Sequence, residues 1–206
     1  MENHIGLFSG SFNPPHAGHL SLMMSAYARQ RYDVIWMLPV PKSPQKKSIP
    51  QASFEQKIEM CRLLTTRESS LVKVREDFAD MKPTYKSFAM SWLRFTQQLA
   101  QDYPSTKFSI ISGQDQSLIG KVAANLIAIR KITSNSANID SIAAINLILN
   151  QILSTPGANP SKMYSDCRSK VSSKSIRRSL RGNEQSNSSG LTPEVHQYIL
   201  RTGLYK

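Results

Sequence analysis

Two apolar patterns alternate along the chain, short continuous runs that suit buried strands and spaced positions that suit helices. His4-Ile-Gly-Leu-Phe8 is a run of the first kind, ending in Ser9-Gly10-Ser11. It predicts a buried strand that enters a tight loop. Asn13-Pro14-Pro15 cannot be helical. After Gly18 the period changes, with Leu20, Met23, Met24, Tyr27 and Ala28 at helical spacing. Val34-Ile-Trp-Met-Leu38 is a second strand candidate, stopped by Pro39 and Pro41. Strand, loop, helix, strand is a βαβ unit, which implies parallel pairing through a right-handed crossover.

The alternation continues less cleanly. Residues 42–51 form a Pro- and Lys-rich loop, and a helix is predicted over residues 53–64. A short strand follows at 71–74 and a longer helix at 87–101. Strands are then expected at 108–111 and 126–129, and a helix at 139–153 carries the stripe Ile142, Ile145, Leu149 and Ile152. Helices over 174–181 and 193–201 flank an Asn/Ser-rich stretch. This order predicts an α/β fold: a doubly wound, Rossmann-like, mostly parallel sheet of about five or six strands with helices on both faces. A small C-terminal helical portion occupies about residues 172–206, and residues 1–206 read as a single domain.

Composition narrows the function classes. Apolar residues are 40% and charged residues 19% of the 206, ordinary for a globular protein. The stretch 139–153 is too short and too polar to span a bilayer. No basic leader precedes an apolar run at the N-terminus, and Cys61 and Cys167 supply neither metal spacing nor a disulfide framework, so cytoplasmic residence is expected. The net charge of +12 favours polyanionic partners without choosing among them. Six basic residues and no acidic one fall between Arg168 and Arg181.

The segment Gly10-Ser-Phe-Asn-Pro-Pro-His-Ala-Gly-His19 holds the candidate chemistry. A strand runs into a turn that opens a helix, the place where such sheets bind ligands. Free amides and the positive end of the helix dipole suit phosphate there. His16 and His19, three apart, can both face one anion and stabilise charge that develops on it. A His pair alone also fits surface or capping residues. A zinc site lacks a third ligand at sensible spacing, and no metal-binding residues are assigned.

With turn, proline and both histidines in order, this segment resembles the (T/H)xGH signature of the nucleotidylyltransferase superfamily. Near the other end, Val171-Ser-Ser-Lys-Ser-Ile-Arg177 resembles the ISSTxIR motif of nicotinate and nicotinamide mononucleotide adenylyltransferases. Leu191-Thr-Pro-Glu-Val-His-Gln-Tyr-Ile199 with Gly203-Leu-Tyr205 is similar to the end of the same enzymes, with a structural part to play. The resemblance implies adenylate transfer from ATP to a pyridine mononucleotide in NAD biosynthesis, with pyrophosphate released and Mg2+ arriving with ATP. His16, His19 and Arg177 would then be catalytic. Gly10, Ser11, Phe12, Lys46, Gly113, Asp115, Ser172, Ser173 and Ile176 would bind ATP.

Several assignments stay open at this level. Asp115, in Gly113-Gln-Asp115, fits a ribose ligand and a helix N-cap equally. Lys46 and Lys47 fit a phosphate contact or a solvated pair. Thr84, Tyr85 and Trp92 are candidates for the pyridine pocket, although Trp92 shares helical spacing with Phe88, Phe95 and Leu99 and is the better core residue. Ser117-Leu-Ile-Gly-Lys121 stands where bacterial relatives usually carry a tryptophan. Other readings are a pantetheine-phosphate adenylyltransferase, a cytidylyltransferase, or a non-catalytic descendant that binds RNA or a protein partner. No RNA-binding motif is present, so nucleic acid is not an expected partner, nor is a membrane; a homo-oligomer stays open.

Overall fold

The computed structural model describes residues 3–42, 52–82, 85–111, 171–182 and 190–205, with side chains omitted at 85–89 and 93. Within them β1 (Asn3–Gly10), β2 (Val34–Pro39), β3 (Val72–Val74) and β4 (Thr106–Ile110) form one sheet in the order β3-β2-β1-β4. Every pairing is parallel. Ile5 lies opposite Val34 and Phe108, and Leu7 opposite Trp36 and Ile110. The helices are α1 (Ala17–Gln30), α2 (Phe54–Leu64), α3 (Tyr85–Asp102), α4 (Ser173–Arg181) and α5 (Pro193–Thr202).

Side-chain alternation along β1 and β2 explains why both faces are covered. Ile5, Leu7, Trp36 and Leu38 point to one face and pack with Phe78, Met81, Phe95 and Leu99, which brings α3 there. Phe8, Ile35 and Met37 point to the other. Leu22, Met23 and Ala26 of α1, Met60, Cys61 and Leu64 of α2, and Val195 and Ile199 of α5 join them. Each buried aliphatic or aromatic side chain contributes about 1.5–3 kcal/mol, so the two layers together outweigh the propensity of any single segment. The helices end where local chemistry dictates. Ser53 caps α2, its hydroxyl accepting the Gln56 N–H at 3.2 Å, while Gln56 Oε1 accepts the Ser53 N–H at 2.8 Å. Arg31 and Gly203, both left-handed with φ 50 and φ 66, close α1 and α5.

The chain runs from β1 to β2 and β3 on one side, then returns to place β4 on the other side of β1. The crevice between β1 and β4 is therefore a topological switch point, open beyond the carboxyl ends of the strands. The turn after β1 lies there. The doubly wound reading holds. Element ends shift by one or two residues, with α3 starting at Tyr85 and β4 at Thr106. Four strands are described; the fifth expected strand, at 126–129, and the helix at 139–153 fall outside the described residues.

Candidate active site

The turn that leaves β1 is held in an uncommon conformation. Phe12 has φ 41, a left-handed value for a bulky residue. Its ring lies over Gly10, where an added Cβ would come within 2.8 Å of it, so Gly10 is a matter of space. Phe12 also meets His19 edge-on, ring centroids 5.0 Å apart, with Phe8 at 6.0 Å from the same histidine. Two aromatic rings thus fix the His19 imidazole.

His16 is the N-cap of α1 and His19 is its third residue. The imidazoles stack at 3.7 Å between centroids and 31° between planes, with His16 buried and His19 half-buried. The His16 main-chain N–H donates to His19 Nδ1 at 3.2 Å. An accepting Nδ1 leaves the proton of a neutral His19 on Nε2, which makes that atom the donor for a ligand. The Ser11 hydroxyl oxygen is buried and meets no partner among the described residues. An orphaned hydroxyl in a glycine-containing turn is a place for a ligand oxygen.

One sequence expectation needs correcting. The amides at the start of α1 are not all free, because the Ala17 N–H donates to the Gly190 carbonyl at 2.7 Å. Gly190, remote in sequence, thus occupies one donor of the first turn. Side-chain donors around the turn therefore carry more of any anion contact than the helix amides alone would.

α4 brings the second motif to the same turn. Ser172 caps the helix, its hydroxyl accepting the Ser175 N–H at 3.1 Å, and Ile176 is buried. The Ser173 hydroxyl donates to the Pro14 carbonyl at 2.8 Å. Arg177 is 8% exposed and its Nη1 donates to the Asn13 carbonyl. Arg177 lies against the turn, because one face of α4 is packed onto residues 13–14. Burial lowers its pKa from the ordinary arginine value, opposed by the nearby Tyr205, and the side chain stays cationic. Its remaining N–H groups can still meet an anion.

The structure thus unites Gly10, Ser11, Phe12, His16, His19, Ser173 and Arg177 around one turn, with Ile176 buried on α4. Trp92 is half-buried against Phe78 and Phe95, at 5.0 and 5.8 Å between centroids, in the core on the α3 face. Lys46, Thr84, Gly113 and Asp115 lie outside the described residues, as does the side chain of Tyr85.

Sequence reading missed two residues here. Lys57 is wholly buried, with its ammonium donating to the carbonyls of Val40 and Pro41, where the chain leaves β2. The signal was present: Lys57 shares the buried stripe of α2 with Met60, Cys61 and Leu64. Asn13 was read only as part of the turn. It is 3% exposed, and its Oδ1 accepts from the Ala52 N–H at 3.1 Å and the Tyr205 hydroxyl at 2.7 Å.

Among the described residues no three His, Cys, Asp or Glu side chains cluster to hold a metal ion. None of the described helices is long and apolar enough to cross a membrane. Comparison with known proteins bears on the same segments. The cytidylyltransferase-like family profile matches residues 7–179, from β1 through α4. A probable nicotinate-nucleotide adenylyltransferase of Anaeromyxobacter dehalogenans is 30% identical over 203 residues, covering 98% of this chain and 96% of its own. One of the same description from Flavobacterium johnsoniae is 31% identical over 115 residues, 54% of each chain. Among solved structures, the Plasmodium falciparum nicotinic acid mononucleotide adenylyltransferase complexed with NaAD aligns with TM-score 0.60 at 14% identity, covering 98% of this chain and 97% of that one. A putative nicotinate-nucleotide adenylyltransferase from Vibrio parahaemolyticus aligns with TM-score 0.55 at 15% identity, over 96% and 99% of the two chains. At such identities these structures speak to the fold.

Proposed function

This chain belongs to the nicotinate/nicotinamide mononucleotide adenylyltransferase family, and on that premise we propose how its residues carry adenylate from ATP to the mononucleotide. One observation carries the assignment of roles. Beyond β1, at the switch point of the sheet, two stacked histidines, an orphaned serine hydroxyl and a buried arginine converge on a single turn. The donors there are histidine, hydroxyl and guanidinium groups, a set suited to phosphate oxygens.

The reaction is a displacement at phosphorus. A phosphate oxygen of the mononucleotide forms a bond to the α-phosphorus of ATP as the bond to the bridging oxygen breaks, and pyrophosphate leaves with that electron pair. A phosphate dianion is already a competent nucleophile, so neither a protein nucleophile nor a general base is needed. The protein's part is positioning and charge stabilisation. His19 Nε2–H donates to an α-phosphate oxygen as negative charge gathers there, and His16, stacked on it, lies at the mouth of the same turn. Ser11 takes a second oxygen. Arg177, already fixed on Asn13, turns its other N–H groups toward the β- and γ-phosphates, with Ser172 and Ser173 at the start of α4.

Magnesium bound to ATP would neutralise part of the triphosphate charge. The described side chains of this turn are anion-binding groups and do not fit a dedicated metal cage; the triphosphate oxygens would hold the ion. Asp115 and Lys46 extend the proposal to the ribose and to a phosphate. α5 shares a core with β1 and β2, which supports one nucleotidyltransferase domain over 1–206.

The test is direct. Purified protein is incubated with ATP, magnesium and each mononucleotide, and both pyrophosphate and dinucleotide are followed. Formation of the dinucleotide is expected. Turnover confined to a different phosphorylated acceptor, or none with any, would refute the proposed substrate.

A further inference from the structure

We propose that Tyr205 is a positioning residue for adenylyl transfer, fixing the phosphate turn and Arg177 through Asn13; the inference rests on the adenylyltransferase reading above. Asn13 joins three segments that are distant in sequence. Its Oδ1 accepts the Tyr205 hydroxyl at 2.7 Å and the Ala52 N–H at 3.1 Å, and its carbonyl accepts from Arg177. Ala52 follows the loop that carries Lys46 and directly precedes Ser53, the cap of α2. One buried residue, through its side chain and its carbonyl, therefore ties together Ala52, the proposed clamp and the turn between the two histidines and β1.

The backbone at both ends of the Tyr205–Asn13 bond is under constraint. Tyr205 has φ 66 and Phe12, the neighbour of Asn13, has φ 41. Left-handed values at bulky residues persist only where surrounding contacts over-determine them. For Tyr205 those contacts are its ring in the core with Val195 and Ile199, and its hydroxyl on Asn13. A tail needed only to cover the core would require the ring, as a phenylalanine supplies it. The hydroxyl reaches 192 positions back to the turn. Burial raises its pKa well above the ordinary tyrosine value, with Arg177 opposing, so the group remains a donor at neutral pH.

Tyr205→Phe removes the hydroxyl and keeps the ring. Initial rates are measured with ATP varied at saturating nicotinate mononucleotide, and then the reverse. The kcat/KM for ATP is expected to fall about 3- to 10-fold, the range of one lost buried hydrogen bond, while KM for the mononucleotide changes less than about twofold. Asn13→Ala should lose at least as much and Asn13→Asp, which keeps an acceptor, less. Adding Tyr205→Phe to Asn13→Ala should cost little more, because the two act through one bond. Hydrogen exchange on the full chain without substrate provides a readout independent of catalysis: the Ala52 amide and those of the turn should exchange faster in Tyr205→Phe. Lower thermal stability with an unaltered kcat/KM for ATP would mean a purely structural tyrosine and would overturn the proposal, as would unchanged exchange at the turn. Should the native protein release no pyrophosphate, the adenylyltransferase reading fails, and the exchange comparison alone decides whether Tyr205 fixes the turn.

Discussion

His19 and Arg177 have different proposed tasks, and their variants should differ accordingly. The His19 ring is held by Phe8, Phe12 and His16, its Nδ1 accepting the His16 main-chain N–H, and Nε2 is the atom proposed to act on a ligand. His19→Ala removes the donor proposed for the reacting phosphate and should lower kcat about 10²-fold or more. Circular dichroism should show an intact fold, and near-native kinetics in such a variant would remove His19 from the mechanism. Arg177 rests on the Asn13 carbonyl and is proposed to meet the ligand as well. A lysine ammonium is a compact point charge that cannot span both, so Arg177→Lys should be impaired in kcat/KM for ATP. Full activity with lysine would show that charge alone suffices there.

Among the elements, α1 and α4 acquire their relation through a glycine that neither contains. Gly190 has φ 123, and a Cβ on it would come within 2.2 Å of Val171 Cγ1, one residue before the cap of α4. Its carbonyl meanwhile accepts the first N–H of α1. Gly190→Ala therefore strains the backbone and drives a methyl group into a β-branched neighbour. A destabilisation on the order of 1–3 kcal/mol is expected from the conformation alone. Urea denaturation would measure it, and an unchanged midpoint would show that the segment rearranges freely. Activity should fall with stability, since displacement of Val171 moves Ser172 and Ser173 away from the turn.

At the scale of the whole molecule, charge and donor chemistry bear on which pyridine mononucleotide is preferred. A carboxylate only accepts hydrogen bonds whereas an amide also donates, so a donor-rich site selects the acid. Thr84, Tyr85, Lys86 and Ser87 offer donors by their chemistry, and the chain carries a net charge of +12. Nicotinate mononucleotide should accordingly give the higher specificity constant. Saturation kinetics on both mononucleotides side by side would check this, and a preference for the amide would refute the pocket reading while leaving the triphosphate site untouched.

Local chemistry made much of this protein legible from its sequence. Uninterrupted apolar runs marked β1 and β2, prolines closed β2, and a helical period beginning near Gly18 marked α1. The same local order placed His16 and His19 at the start of that helix, because a strand, a turn and a helix in succession leave few alternatives. Tertiary structure decided what depends on segments far apart. Nothing around Arg177 indicates that it rests on the Asn13 carbonyl, nothing around Tyr205 that its hydroxyl returns to Asn13, and nothing around Gly190 that it occupies the first amide of α1. Those contacts arise because α4 and α5 fold back toward the carboxyl ends of the strands, bringing Arg177 and Tyr205 onto Asn13. Periodicity reports which face of an element is apolar; which other element covers it, and in what register, is settled only when the layers pack.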